Sequence, residues 1–150
     1  MTNPQHYYLT LADAKSRIKN TALETLDIEI VSIDDEQVVL RMPITPKVHQ
    51  PLGQLHGGVS LVLAETAASL HAAWGINLLE KAPVGIEING SHLRSAAEGT
   101  AEAIAKPVRR SRTLVVHQVE IYHVETGKLL TIARVTNYYK SVGAARDGNN

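Results

Sequence analysis

Residues 49–75, HQPLGQLHGGVSLVLAETAASLHAAWG, constrain this chain more than any other stretch. From the paired glycines onward, apolar side chains recur at every angle around a helix, interrupted by one acid, Glu65. A helix that is apolar all round has to be enclosed, by lipid or by the rest of its own fold. The pattern predicts a helix from Gly57 or Gly58 to about Leu79, opened by the glycines and stopped at Ala82-Pro83. Its length would suit a membrane span. Glu65, His71 and several hydroxyls within it, with polar flanks, argue for enclosure by protein instead.

The remaining segments supply the wrapping. Residues 9–20 read as a short amphipathic helix, with Thr10 as N-cap and Leu11, Ala14 and Ile18 near one face. Residues 26–45 read as two strands around a tight turn at Asp34-Asp35, Leu26, Ile28 and Ile30 alternating with polar neighbours. From Thr45 to Gly53 two prolines and a glycine mark an ordered loop. Four strand-like segments follow the long helix, at 84–93, 100–110, 112–123 and 128–139, the last two joined by a hairpin turn at Glu125-Thr126-Gly127. The order predicts an α+β fold, one antiparallel sheet curling around one long helix. With 150 residues and no internal repeat, the chain reads as an arm at 1–25, one domain at 26–140 and a frayed tail at 141–150.

Composition narrows the partners. Fifteen Lys and Arg balance fifteen Asp and Glu, so no net field favours nucleic acid or an anionic membrane. Phenylalanine is absent and tryptophan occurs once, which gives an aliphatic core and too few rings for a base-stacking platform. The absence of cysteine excludes disulfides, thiol nucleophiles and thiolate metal sites. His71, His92, His117 and His123 form no spacing with acids that suggests a metal, and the expectation is no metal and no cofactor. No basic start followed by an apolar run marks the N-terminus, so the expected location is cytoplasmic.

Glu65 is the candidate working group. Gly58, Leu61, Ala68, Ser69 and Ala72 project on its side of the helix, and all but Leu61 are small, which leaves room beside the carboxylate. Ser69, one turn on, could hold a water. A structural acid paired with Arg94, Arg109 or Arg112 is the competing reading. At the helix entrance, Gly57 and Gly58 expose backbone N–H groups where the helix dipole is positive, a place for a carbonyl oxygen that gains charge. His56 and Gln50 add donors there, although glycines in such a place often serve only to turn the chain. The eight residues from Gly57 to Glu65 span about 12 Å along a helix axis. A reacting carbonyl must lie about 3 Å from both its attacker and its polarising donor. One helix cannot supply both, whereas two antiparallel copies can. Cooperation between the two residues therefore requires at least a homodimer with sites across its interface.

The segment HQPLGQLHGGVSLVLAE resembles the signature of the hotdog-fold acyl-CoA thioesterases. It is most similar to the branch of the phenylacetic-acid-pathway, 4-hydroxybenzoyl-CoA and 1,4-dihydroxy-2-naphthoyl-CoA thioesterases. The resemblance runs from about Leu26 to Tyr138 and includes GIEINGSHLRSAAEG and KPVRRSRTLVVHQVEIYH. It implies a sheet-wrapped helix, edge-to-edge dimers that often pair into homotetramers, and hydrolysis of an aromatic or medium-chain acyl-CoA, coenzyme A being part of the substrate. Carried over by position, it implies Glu65 as nucleophile or general base, the Gly57 N–H at the thioester carbonyl of the other subunit, Gln50 and His56 assisting, and Ser69 orienting water. It further implies that Ser111, Arg112 and Thr113 meet the coenzyme A phosphates, and that Arg94, with His92 and Leu93, lies along the substrate. Residues 92–95 read His-Leu-Arg-Ser where close relatives carry His-His-Arg-Pro, and Arg109-Arg110-Ser111 stands where a glycine often precedes the arginine. Apart from any resemblance, the basic stretch Arg109, Arg110 and Arg112 suits a nucleotide phosphate tail, or else a solvated strand end.

Two other functions fit the same residues. A hotdog dehydratase of 3-hydroxyacyl thioesters also pairs a histidine with an acid, though its loop carries a different pattern. A non-catalytic acyl-CoA-binding protein is the second, but about 25 residues before the first strand are too few for a fused helix-turn-helix reader.

Overall fold

The structure is a computed structural model and describes residues 5–143. The arm forms two short helices, α1 (Leu11–Ser16) and α2 (Ala22–Thr25). Thr10 caps α1 as expected, in a reciprocal capping box with Asp13. The helix expected over 9–20 is shorter than that, ending at Ser16 with Arg17 as its C-cap; Asn20 then takes a left-handed backbone (φ 61°) and Thr21 caps a separate turn.

Six strands follow: β1 (Glu29–Ile33), β2 (Val38–Pro43), β3 (Lys81–His92), β4 (Thr100–Arg110), β5 (Leu114–His123) and β6 (Lys128–Ser141). They form one antiparallel sheet in the order β1-β2-β4-β5-β6-β3. Helix α3 (Gly57–Ala73) lies in its curve and touches every strand from β2 to β6. The enclosure is close because the facing residues are small. On β4, Ala101, Ala103 and Ala105 alternate inward, and Ala64, Ala67 and Ala68 meet the sheet from α3, all without exposure to solvent. Val38, Leu40, Met42, Leu63, Val119, Ile121 and Val135 complete an aliphatic core. No helix of the described residues is long and apolar enough to cross a membrane.

Helix α3 ends at Ala73, six residues before the expected Leu79, and the cause is tertiary. The Arg110 guanidinium, reaching across from the end of β4, donates to the carbonyls of His71 (2.9 Å), Ala72 (3.3 Å) and Trp74 (3.2 Å). Tyr139 donates its hydroxyl to Ala72 as well. A cation on the last carbonyls also complements the helix dipole. Gly75 then turns the chain with φ 72°. Pro83, expected as the helix stop, lies inside β3 opposite Tyr139; it is tolerated because β3 is an edge strand. At the other end of the chain, Ser141 belongs to β6 and pairs with Lys81, so the expected tail begins in the sheet; residues 144–150 lie outside the described residues.

Beneath the helix end lies a fully buried histidine pair. His71 Nε2 donates to the Asp34 carbonyl at 3.0 Å, which leaves its Nδ1 as an acceptor for His117 Nε2 at 2.8 Å. His117 Nδ1 then has no partner. Burial, with Arg110 adjacent, pushes the His71 pKa down. Burial, His71 and Arg110 together push His117 down to about 3. Both rings are therefore neutral in the fold and charge readily only when the chain unfolds. Because the folded values are depressed, the unfolded chain binds more protons below pH about 6.5, and stability falls as pH drops from there. Hydrogen bonds hold the Asp13, Asp34 and Glu125 carboxyls below their usual range, so these groups contribute only further down. Urea unfolding between pH 7.5 and 4.5 should show a plateau above neutrality, then a loss of up to about 1.4 kcal/mol per pH unit for each histidine. A flat profile to pH 4.5 would contradict the neutral pair.

Candidate functional site

The entrance to α3 is assembled by the loop before it. A 3-10 turn (Pro46–Val48) leads into a tight excursion in which the Gln50 N–H donates to the Gln54 carbonyl at 2.7 Å. His49 Nε2 fixes the loop to the Ala97 carbonyl at 2.8 Å. Gln50 Oε1 accepts the N–H of Leu52, so the amide NH2 is the end left for other partners. His56 is the N-cap, its Nδ1 accepting the Gly58 N–H at 2.9 Å. Among the described residues nothing accepts the N–H of Gly57, which stays free at the positive end of a 17-residue helix.

His92, from the end of β3, packs its ring against this point. A Cβ on Gly57 would sit 2.6 Å from His92 Nε2, so only glycine admits the ring here. The other ring nitrogen, Nδ1, is 3.0 Å from Thr131 Oγ1. Gln50, Gly57, His92, Leu93 and Arg94 line one cavity of about 330 Å³ with Leu55 and Ser60. Arg94 also donates to the Leu129 carbonyl at 2.9 Å.

Glu65 opens elsewhere. With Ser69 it lines a second cavity of about 480 Å³, walled by Val62, Thr66 and Leu70 of α3 and by Ala14, Arg17, Thr21 and Leu23 of the arm. The described ion pairs are Arg41–Glu102, Lys47–Asp27 and His123–Glu125, so Glu65 is paired with none of Arg94, Arg109 and Arg112. The room beside it does not come from Ala68 and Ala72, which are packed into the core. It comes from Gly85 of β3, where a Cβ would stand 2.5 Å from Glu65 Oε1. Asn137, fully buried on β6 and paired in register with Gly85, donates Nδ2 to Ser69 Oγ at 3.0 Å.

The candidate residues thus fall into three places within one chain. Gln50, Gly57, His92, Leu93 and Arg94 gather at the helix entrance, with His56 as its cap; Glu65 and Ser69 lie two turns on. Ser111, Arg112 and Thr113 form the β4–β5 turn near the helix C-terminus, where the Ser111 hydroxyl donates to the Leu114 carbonyl. Arg110 is committed to capping α3, which removes it from the basic stretch as a phosphate ligand. Gly85, Asn137 and the arm residues carry no sequence signal that links them to Glu65. Gly85 and Asn137 sit in ordinary strand patterns, and only the fold brings them to Glu65. Among the described residues no group of acids and histidines could hold a metal ion.

Residues 52–130 match the family model of the thioesterase superfamily. The chain belongs to that superfamily. It is 45% identical to a 1,4-dihydroxy-2-naphthoyl-CoA hydrolase of Listeria monocytogenes over 113 residues, 75% of this chain and 90% of the relative. It is 40% identical to the Escherichia coli enzyme of the same name, over 74% of this chain and 80% of that one. A crystal structure of a thioesterase from Haemophilus influenzae superposes with a TM-score of 0.86 at 33% identity, covering 94% of this chain and 97% of that one. The fold is the hotdog fold, and the protein is a thioester hydrolase.

Gly85 offers a test of the carboxylate's position that leaves the carboxylate itself in place. Gly85→Ala should push the flexible end of Glu65 aside, since its Oε1 is the atom met at 2.5 Å. Thioesterase kcat/KM should fall by about 100-fold, the scale of an ångström-sized misplacement. The melting temperature should change little, and full activity in a folded variant would show that the carboxylate's placement is not critical.

Proposed function

We propose that the protein hydrolyses an aromatic or medium-chain acyl-CoA to the free acid and coenzyme A, in a homodimer whose sites lie between subunits. One observation carries this reading: within a chain, the free Gly57 N–H and the unpaired Glu65 line different cavities. The fold supports a way to join them. Strand β3 runs antiparallel along α3, with His92 beside Gly57 and Gly85 beside Glu65, and its outer edge is unpaired over 12 residues. A second copy added antiparallel at that edge, with Gly85 opposite the other copy's His92, brings each Glu65 level with the other Gly57. Relatives named as hydrolases of a naphthoyl-CoA support a coenzyme A ester as substrate.

In this arrangement the thioester oxygen accepts the Gly57 N–H of one subunit, with the Gln50 amide and His56 nearby. Glu65 of the other either takes a proton from water as the water oxygen bonds to the carbonyl carbon, or attacks that carbon itself. Charge moves onto the carbonyl oxygen, where the helix dipole stabilises it. Where Glu65 acts as base, the C–S bond breaks and the thiolate leaves with the proton that Glu65 took from the water. Where Glu65 attacks, thiolate loss leaves an acyl-Glu65 anhydride, and water then hydrolyses it, freeing the acid and the carboxylate and supplying the thiol's proton. Ser69 orients the water. Arg94, with Ser111, Arg112 and Thr113, serves the nucleotide end. Neither metal nor cofactor enters.

Thiol release should be measured across benzoyl, hydroxybenzoyl, dihydroxynaphthoyl, phenylacetyl and straight-chain CoA esters. Glu65→Ala should cost at least about 100-fold. Gly57→Pro removes the N–H at a position where helices accept proline, once the His92 ring moves aside. Unfolded and refolded together, these two inactive variants should regain about a quarter of wild-type activity, since half the dimers are mixed and each holds one intact site. Tight binding without thiol release would overturn the enzymatic assignment to acyl-CoA, and an inactive mixture would overturn the shared site.

A further inference from the structure

Asn137 breaks the pattern of its strand. Residues 133, 135, 137 and 139 of β6 point inward, as Ala, Val, Asn and Tyr. The tyrosine hydroxyl is used at the helix cap. The carboxamide of Asn137 is fully buried, its Oδ1 has no hydrogen-bond partner, and its Nδ2 donates to Ser69 Oγ. Burying an amide with half its capacity unmet costs stability that an aliphatic residue would not. Such exceptions gather where function requires them.

Its surroundings indicate the function. Asn137 Nδ2 lies 3.8 Å from the Cβ position at Gly85, the point that is 2.5 Å from Glu65 Oε1. The amide nitrogen therefore reaches the Ser69 hydroxyl from beside Gly85, the same residue against which the Glu65 carboxylate packs. Ser69 accepts from Asn137, and among the described residues its own proton goes to no acceptor; in particular it makes no bond back to its own helix, as Thr66 does to Val62. A hydroxyl whose lone pair is held from behind presents its proton forward, into the cavity it shares with Glu65.

We propose that Asn137 is a positioning residue for the hydrolytic step: it fixes the rotor of Ser69 so that the hydroxyl donates toward the water beside Glu65. This rests on Glu65 being the working carboxylate. Asn137 touches neither substrate nor water and acts through Ser69 alone.

Four proteins decide it: wild type, Ser69→Ala, Asn137→Leu and the double variant, with Asn137→Ala as a second choice if the leucine does not fold. Asn137→Leu should lower kcat about ten-fold, with KM within two-fold and a melting temperature no lower than wild type. The double variant should turn over no more slowly than Ser69→Ala, because the amide has nothing left to orient. Multiplying losses, or a KM change that accounts for the whole effect, would overturn the proposal. So would unchanged kcat in a folded variant. Failure of the underlying reading is distinct: Glu65→Ala would then retain wild-type turnover, and the proposal would fall with it.

Discussion

Helix α3 and edge strand β3 approach so closely that at three levels only one of the two can carry a side chain. At three successive levels a glycine on one element receives a side chain from the other. Gly57 receives His92, Gly90 receives Leu61, and Gly85 receives Glu65. The approach leaves little freedom for the helix to slide or roll against the strand, since each level is filled by atoms of a different kind. It also holds the free N–H of Gly57 and the carboxylate of Glu65 at fixed heights along the strand. Both groups are therefore referenced to one edge, the edge that has no neighbour within the chain.

The far end of the helix is held by different means. There Arg110 binds three carbonyls, Tyr139 binds one of them again, and the neutral histidine pair reaches the turn between β1 and β2 through Asp34. Trp74 reaches the same turn, donating Nε1 to Asp35 at 2.9 Å. Elements distant in sequence meet in one polar knot beneath the last turn of α3. The knot is structural, and its arginine is the one that composition alone would assign to a phosphate.

Much of this architecture was legible in the residues. The strand-like segment at 100–110 is β4. The apolar circumference of the helix required wrapping, and its glycine-marked start and lone acid are the two places where the structure leaves a free N–H and an unpaired carboxylate. What could not be read depends on contacts made across the chain. The helix stops at Ala73 because of an arginine 37 positions later, and Pro83, a local stop signal, is harmless on an edge. Periodicity, which can be counted only along the helix itself, assigns the room beside Glu65 to small residues of α3. That room comes from Gly85, whose relation to Glu65 is a matter of strand placement. Asn137 gave no signal because a single polar residue in a strand is ordinary until its burial is known. The departure from the family pattern at 92–95 fell where the structure places real contacts, since His92 rests on Gly57 and Leu93 and Arg94 line the same cavity.

The arm has a consequence for how such a protein diversifies. Ala14, Arg17, Thr21 and Leu23 wall the carboxylate's cavity, yet they belong to α1, its trailing coil and α2, outside the sheet. Substitutions there reshape the vestibule without touching either the glycine-lined seam or the knot that anchors the helix. Exposed Arg17 and Thr21 can therefore vary, and alter the wall of this cavity, at small risk to folding, whereas Ala14 and Leu23 are tied to the core they pack against.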